Sequence, residues 1–313
     1  MKYNKLIKEC PNISEIGMGA WQLGARSGWK EMTENEAIEL VQTSVEMGVN
    51  FFDTAPNYGL GTSELRLGKA LKAYDRDKFV VNTKFGHNNK GGTDFDPNTI
   101  QKSLEGSLKR LQMEYVDSLI VHNPPYEYLD GNKNDHYEIL EKLKDSGKIK
   151  AYGASLDTYK EIELLLKTTN SKVIEIFFNI LHQDAAKSFE LAKEKNVGII
   201  VKIPLDSGWL TGKYNQDSIF EGVRRRWSKA DIKTRAMLVD RVKNIIGFEA
   251  NLTQTALSFC LAYEAVSAVI PGTISTQQLK GNITNISQPI SKPLLEKLEI
   301  FYQDEVKHLN IPW

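Results

Sequence analysis

The sequence predicts an α/β protein of the (β/α)8 TIM-barrel class, organised as one domain over residues 1–313. Short runs rich in β-branched and aromatic residues recur along the chain, and longer segments with helical spacing separate them. Short links join the two kinds of segment. Alternation of this kind is typical of parallel strands connected by helical crossovers. An open, doubly wound sheet is the other architecture that the pattern allows.

The predicted strands are apolar on both faces, as buried parallel strands are. In chain order they cover residues 16–21, 49–53, 79–84, 117–121, 149–153, 173–178, 198–203 and 268–270. Eight strand–helix units match the count of a closed barrel. In that architecture the long loops at 122–134 and 212–231 follow strands and lie on the active face.

Helix boundaries are visible in the same pattern. Thr33 and Glu36 have the spacing of a capping box, and Gly48 ends that helix just before the second strand. Asp157 is expected to be the N-cap of a later helix. Spacings of four, four and three residues predict another helix through Ile100, Leu104, Leu108 and Leu111.

Composition limits the classes of partner. Lys+Arg and Asp+Glu both number 40, and this zero formal charge argues against a dedicated nucleic-acid binder. The two cysteines, Cys10 and Cys260, are far apart, which favours a reducing compartment. No apolar run approaches the ~18 residues of a membrane span, and no apolar leader is visible. We therefore expect a cytoplasmic protein without nucleic-acid or membrane partners.

Two familiar kinds of site are not supported by the motifs. Gly17 and Gly19 begin like a dinucleotide fingerprint, but Gln22 stands where the third glycine is required. The five histidines have no metal-ligand spacing to one another or to Cys and Asp, so no metal site is predicted.

Titratable residues mark the ends of three consecutive predicted strands. Asp53 closes the second strand with Tyr58 in the loop after it, Lys84 closes the third, and His122 closes or follows the fourth. In a barrel these ends converge on one pocket. A free tyrosine is too weak an acid at neutral pH, but a nearby ammonium stabilises its phenolate. We therefore expect Tyr58 to protonate a carbonyl oxygen, with Lys84 lowering its pKa, Asp53 orienting Lys84 and His122 guiding the substrate. The hydride would come from a nicotinamide cofactor.

Several segments carry a resemblance to a known family. They are "SEIGMGAWQLG", "GVNFFDTAPNYGLGTSELRLGKAL", "VNTKFG", "DSLIVHNPP", "GKIKAYGAS", "PLDSGWLTGKY" and "VIPGTISTQQLKGNI". The chain resembles the aldo-keto reductase superfamily, in its bacterial form, over nearly its whole length. The resemblance implies a (β/α)8 barrel that reduces a small aldehyde or ketone with NAD(P)H. The polar loop residues Asn123, Asp130 and Arg224 would suit a sugar or another hydroxylated substrate. Asp53, Tyr58, Lys84 and His122 match the family's catalytic tetrad.

The resemblance also leaves alternatives open. An aldose or alcohol dehydrogenase would run the same chemistry in the oxidative direction. A cofactor-binding regulatory subunit with weak or no turnover is the alternative from another class. The oligomeric state is not predicted.

Cofactor contacts carry over from the family by position. They are Gly19, Ala20, Trp21, Asp53, Ser155, Glu175, Lys202, Leu205, Ser207, Gly208, Lys213, Gly272, Gln278 and Asn282. The resemblance favours NADP(H) over NAD(H). Some members have an arginine where Gln278 stands, and Lys213 with one of Arg224–Arg226 would supply that charge here.

Two of these positions depart from the family pattern. Glu175 stands where a glutamine is usual, and Lys202 aligns with the aromatic residue that usually stacks on the nicotinamide. We expect these two side chains to form an ion pair beside the ring. Four aromatic residues are candidates for the lining of the substrate pocket: Tyr126, Tyr128, Trp209 and Trp227.

Overall fold

The computed structural model describes residues 1–24, 31–284, 286, 289–309 and 311–312. Within these ranges an antiparallel hairpin of β1 (Tyr3–Asn4) and β2 (Ile13–Ser14) precedes one sheet of parallel strands. The strands of that sheet are β3 (Met18–Gly19), β4 (Phe51–Asp53), β5 (Val80–Phe85), β6 (Val116–His122), β7 (Ile149–Leu156), β8 (Val173–Phe177), β9 (Gly198–Lys202) and β10 (Val266–Val269).

The sheet closes on itself. Strands β3 to β10 pair in chain order, and parallel bridges join Ile16 to Val269 and Gly19 to Gly272. The Gly17 amide donates a hydrogen bond to the Val269 carbonyl at 2.9 Å. The predicted (β/α)8 barrel is therefore confirmed, and the open sheet is excluded.

Helices cover the outside of the barrel. They are α1 (Trp21–Gly24), α2 (Glu34–Glu46), α3 (Thr62–Leu71), α4 (Ile100–Leu111), α5 (His136–Asp145), α6 (Tyr159–Thr168), α7 (Phe189–Glu194), α8 (Lys229–Ile246), α9 (Leu252–Leu261), α10 (Thr276–Thr284) and α11 (Lys292–Phe301). None of the helices in the described ranges combines the length and the apolar character needed to cross a bilayer.

Local signals set several of these boundaries as predicted. Thr33 and Glu36 form the capping box of α2, and Gly48 follows its end with a φ of 90°. The first barrel strand is shorter than predicted, because the chain turns into α1 at Trp21. Asp157 is not the N-cap of α6. Thr158 takes that position, which leaves the Asp157 carboxylate for another partner.

Apolar side chains fill the barrel at its amino end. The interior cluster contains strand residues such as Phe51, Val80 and Ile200, together with Leu6 and Ile7 from the hairpin segment. A second and larger cluster lies between the strands and the helices. Because the amino end is packed with apolar side chains, the polar groups at the carboxyl ends of the strands define the accessible cleft.

Gly153 in β7 offers a test of strand packing. A Cβ atom at this position would lie 1.6 Å from the Val173 carbonyl oxygen of the neighbouring strand, so β7 and β8 would have to separate. We expect Gly153→Ala to lower the free energy of unfolding by at least about 2 kcal/mol, as overpacking does, measured by urea titration. In Gly147→Ala, where nothing lies within 4 Å of the new Cβ, only the positive φ of 74° opposes the substitution. That control should lose about 1 kcal/mol. Equal losses in the two variants would contradict the packing argument.

Candidate active site

The carboxyl ends of the barrel strands bring the four predicted side chains together. Asp53 ends β4, Lys84 lies one residue before the end of β5, and His122 ends β6. Tyr58 begins the turn that follows β4. Asp53, Tyr58 and His122 line a cleft of about 710 Å³.

The Lys84 ammonium lies at the centre of this group, with no exposed surface. It donates to both carboxylate oxygens of Asp53 at 2.6 and 2.7 Å, and to the Thr54 carbonyl at 3.2 Å. The Tyr58 hydroxyl is 3.4 Å away and Glu175 Oε2 is 3.0 Å away. One buried cation thus contacts the candidate proton donor and two carboxylates.

Asp53 is held from the side opposite Lys84. The Asn82 amide donates to Asp53 Oδ2 at 2.6 Å, and the Ser118 hydroxyl in turn donates to Asn82 Oδ1 at 2.6 Å. Burial, and after it the charge of Glu175, raise the pKa of Asp53 to about 8, although Lys84 opposes the shift. Two carboxylates around one ammonium therefore tend to retain a proton between them at neutral pH.

The pKa of Tyr58 does not shift in the direction that the sequence predicted. Burial raises it, and the charge of Lys84 lowers it by less than burial raises it. Asp53 and Glu175 add to the upward shift. The sequence prediction assumed one carboxylate beside the lysine, whereas the folded chain supplies two.

His122 is a neutral imidazole at neutral pH. Burial, and then the nearby positive charge of Lys84, hold the pKa of His122 well below its ordinary value. Its ring meets the Tyr58 ring edge-on at a centroid distance of 5.8 Å. His87, which the sequence argument did not single out, lies behind it at 4.8 Å. A neutral imidazole can donate a hydrogen bond to a substrate oxygen without protonating it.

Glu175 and Lys202 do not form the predicted ion pair with each other, because each has another partner. Glu175 pairs with Lys84 at 3.0 Å, and Lys202 pairs with Asp157 at 2.8 Å. The Ser155 hydroxyl lies between them, accepting from Lys202 at 2.9 Å and donating to Glu175 at 3.2 Å. Although burial favours the neutral acid, Lys84 and Lys202 lower the pKa of Glu175. The two residues are thus linked through a hydroxyl, and the expected direct pair is corrected to two separate ion pairs.

Asp157 and Asn123 join this network, although the sequence argument expected Asp157 only to cap a helix. Asn123 Oδ1 accepts from Lys202 at 3.0 Å, and its amide donates to Asp157 Oδ2 at 3.0 Å. Both residues come directly after strands, β6 for Asn123 and β7 for Asp157. Their position after a strand could have indicated a place at the cleft. A carboxylate just before a helix is equally typical of an N-cap, so the sequence did not distinguish the two roles of Asp157.

Most of the predicted cofactor residues line one continuous cleft. It is bordered by Gly19, Trp21, Asp53, Glu175, Lys202, Leu205, Ser207, Gly208, Lys213, Gly272, Gln278 and Asn282, with Arg224 and Arg226 beside them. Ser155 and Ala20 are fully buried behind this surface. The Ala20 amide donates to the Asp53 carbonyl at 2.8 Å, which joins the first two strand ends.

A strained turn forms part of the cleft wall. Asp206, Ser207 and Gly208 have φ values of 45°, 55° and 100° in succession. The Asp206 carboxylate is fully buried, with Arg235 and His182 each 3.5 Å away. This buried cluster, which the sequence did not predict, holds the turn to helix α8.

The part of the cleft beside this turn carries basic side chains that could hold an anion. Lys213 lies beside the turn, because a Cβ on Gly208 would be 3.3 Å from its Cε, and Arg224 donates to the Ser207 carbonyl at 3.0 Å. A pyrophosphate is an anion of the kind that such a basic, glycine-containing turn accommodates. Among the described residues, no group of three His, Cys, Asp or Glu side chains is placed to hold a metal ion.

The aromatic residues considered for the substrate pocket have other surroundings. Trp209 is fully buried and meets Trp227 at a centroid distance of 6.0 Å in a cluster under the 212–231 segment. Tyr128 stacks on Phe95 at 6.0 Å, and Tyr126 is exposed. The aromatic contacts of Trp209 and Trp227 therefore support that loop.

The chain also resembles a protein that is named for a different class of function. A probable voltage-gated potassium channel subunit beta from Arabidopsis thaliana is 27% identical to this chain, over 98% of each chain.

Other comparisons agree with the barrel fold. L-galactose dehydrogenase of Arabidopsis thaliana is 30% identical over 88% of this chain and 85% of its own length. The holo form of an aldo-keto reductase from Bacillus halodurans superposes with a TM-score of 0.78 at 25% identity, covering 95% of this chain and 96% of that one. The model of the Aldo/keto reductase family matches residues 15–303. This chain is therefore a member of the aldo/keto reductase family, whose enzymes are NAD(P)H-dependent oxidoreductases acting on carbonyl or alcohol groups.

Proposed function

We propose that this protein reduces an aldehyde or ketone to the alcohol, with Tyr58 as the proton donor. The observation that carries the proposal is the position of the Lys84 ammonium, between the Asp53 carboxylate and the Tyr58 hydroxyl at the strand ends. The neutral His122 ring faces Tyr58 across the same cleft.

The reaction follows from what each side chain can do. A carbonyl oxygen between Tyr58 and His122 accepts a hydrogen bond from each. When bound, the nicotinamide supplies the hydride to the carbonyl carbon. Tyr58 gives its proton to the oxygen as negative charge develops there, and Lys84 stabilises the phenolate that remains. Asp53 orients Lys84, and Glu175 together with Asp53 keeps it charged.

NADP(H) is the proposed cofactor, in preference to NAD(H). The cleft passes from the strand ends to a basic region with Lys213 and Arg226 on its wall. The 2′-phosphate that distinguishes NADP(H) carries an additional negative charge, which this region would stabilise. Ser155, Glu175 and Lys202 are proposed to hold the nicotinamide end.

A hydroxylated, sugar-like carbonyl compound is the candidate substrate class. Asn123 and Lys202 line the cleft beside His122, so the substrate would meet several hydrogen-bonding groups. The relative named L-galactose dehydrogenase supports a sugar and leaves the oxidative direction open as well. A cytoplasmic location is part of the same proposal and fits the two free cysteines.

A regulatory subunit is the second candidate function. The charged residues Glu175 and Lys202, and the relative named as a channel subunit, favour it. One measurement distinguishes the two candidate functions. Consumption of NADPH with a panel of hydroxyaldehydes supports the enzyme, and tight cofactor binding without consumption supports the subunit.

Tyr58→Phe tests the proton donor. The substitution removes the hydroxyl and keeps the ring, so we expect turnover to fall by about 10²- to 10⁴-fold, the contribution of general acid catalysis. NADPH affinity, measured by fluorescence titration, should stay within about twofold. Turnover close to that of the wild type would contradict the assignment.

Glu175→Gln tests the contribution of Glu175 to the raised pKa of Tyr58. Because the carboxylate is removed and Lys84 remains, the pKa of Tyr58 should fall. Carbon NMR of tyrosine labelled at Cζ, in the cofactor-free protein, would follow its ionisation. The control Glu163→Gln removes a carboxylate paired with Lys167 on the surface of α6 and should cause no shift. An unchanged or higher pKa in Glu175→Gln would contradict the electrostatic account.

Arg226→Gln tests the preference for NADP(H). Arg226 lines the cleft, and loss of a charged hydrogen bond to the 2′-phosphate should weaken NADPH binding about tenfold. NADH binding should change by less than about twofold. The neighbour Arg225 is exposed and does not line this cleft, so Arg225→Gln is the matched control. Equal losses for both cofactors would rule out a contact specific to the 2′-phosphate.

A further inference from the structure

A continuous series of polar contacts leads from the proposed proton donor to the edge of the cleft. In order it joins Tyr58, Lys84, Glu175, Ser155, Lys202 and Asp157, with separations of 3.4, 3.0, 3.2, 2.9 and 2.8 Å. Glu175 contributes both of its oxygens, Oε2 toward Lys84 and Oε1 toward Ser155.

The series runs from the interior outward. Lys84 and Ser155 have no exposed surface, and Glu175 is only 2% exposed. The side chain of Asp157, at the far end, is 29% exposed. The middle of the path is therefore buried, Asp157 meets solvent at one end, and Tyr58 meets the cleft at the other.

The hydrogen bonds of the middle section point inward. Lys202 donates to Ser155 Oγ, and Ser155 donates onward to Glu175. The Ser155 proton has a second acceptor in Asn123 Oδ1 at 3.1 Å, and the hydroxyl keeps lone-pair capacity for a donor from a bound cofactor. A proton moving toward Tyr58 therefore follows the existing donor directions in this section.

Reduction creates the need for such a path. Once Tyr58 has given up its proton it is a phenolate, and its cleft side is covered by the product that it has just protonated. Lys84 is in contact with it from the protein side. Burial raises the pKa of Tyr58, so the phenolate takes back a proton readily when a donor is available.

We propose that Glu175, Ser155, Lys202 and Asp157 form a proton relay that reprotonates Tyr58 from solvent through Lys84. The proposal rests on the proposed function, because it requires Tyr58 to be the donor. Glu175 and Lys202 both depart from the family pattern, and the relay accounts for the two of them together.

One proton moves in each cycle and no electrons are transferred. The Tyr58 O–H bond forms as a Lys84 N–H bond breaks, and Glu175 returns a proton to the Lys84 amine. The proton that Glu175 gives to Lys84 comes from the Ser155 hydroxyl. The Ser155 oxygen takes a replacement proton from Lys202. Asp157, protonated from water, restores the Lys202 ammonium.

Stopped-flow kinetics separate the first turnover from later ones. Wild-type protein and Asp157→Asn are mixed with NADPH and a small hydroxyaldehyde such as glyceraldehyde. Nicotinamide absorbance follows the hydride step, and a pH indicator follows proton uptake. Because Tyr58 begins protonated, Asp157→Asn should keep the first-turnover hydride rate, while proton uptake and steady-state turnover fall by about tenfold or more. Imidazole, a small diffusible proton donor, should restore the loss.

Further variants separate the relay from a structural effect. Asp157→Glu returns the carboxyl group and should recover steady-state turnover. Glu163→Gln, on the surface of the neighbouring helix, should match the wild type and gain nothing from imidazole. Glu175→Gln has nearly the same shape without the proton-carrying group, and it keeps the relay testable if Asp157→Asn does not fold. Because Glu175 also contacts Lys84, its first turnover should differ from that of the wild type, but its later turnovers should be slower than its first and should regain that difference with imidazole.

Two results would overturn the relay alone. One is wild-type steady-state turnover in both Asp157→Asn and Glu175→Gln. The other is an equal loss in first and later turnovers that imidazole does not restore. A wild-type protein that binds NADPH without oxidising it in the presence of any carbonyl compound would instead overturn the proposed function, and the relay with it.

Discussion

The burial of the Lys84 ammonium is the constraint on which the rest of the cleft depends. An ammonium without exposed surface loses its hydration, and that loss amounts to several kcal/mol unless opposite charges and hydrogen bonds replace it. Asp53 from β4 and Glu175 from β8, with a proton retained between them, supply the negative charge, and the Thr54 carbonyl accepts a further hydrogen bond. Only a closed barrel brings the ends of β4, β5 and β8 to one point.

The second carboxylate changes the chemistry of the group. Burial is the main reason that the pKa of Tyr58 is raised, and the charge of Lys84 only partly offsets it. Asp53 and then Glu175 add to the upward shift, because a nearby negative charge disfavours the phenolate. A weaker acid gives up its proton less easily and regains it more easily. Through Lys84 and Glu175, the proposed proton donor is connected to Ser155 and Lys202, which continue the network toward solvent.

A second buried charge organises the other part of the cleft. Asp206 is enclosed with Arg235 and His182, although the backbone at Asp206 and Ser207 has positive φ. Conformations of this kind are unfavourable for residues other than glycine and persist only where the surroundings impose them. The ion pair between Asp206 and Arg235 of α8 stabilises this conformation, and it keeps the Ser207 and Gly208 backbone on the cleft wall. Both parts of the cleft thus rely on carboxylates that the fold has removed from water.

The sequence by itself determined the barrel and the four residues at its strand ends. Apolar runs and helix caps are local properties, and Asp53, Tyr58, Lys84 and His122 could be placed because each lies at or directly after a predicted strand. The partners of Glu175, Lys202 and Asp157 were decided only by the tertiary structure. The sequence predicts that Asp157 caps a helix, yet Asp157 pairs with Lys202, which lies 45 residues later in the chain, counted from the residue numbers. Ion pairs between strand ends depend on how the closed sheet is staggered, and the direction of a pKa shift depends on burial. Neither is encoded in the spacing of residues along the chain.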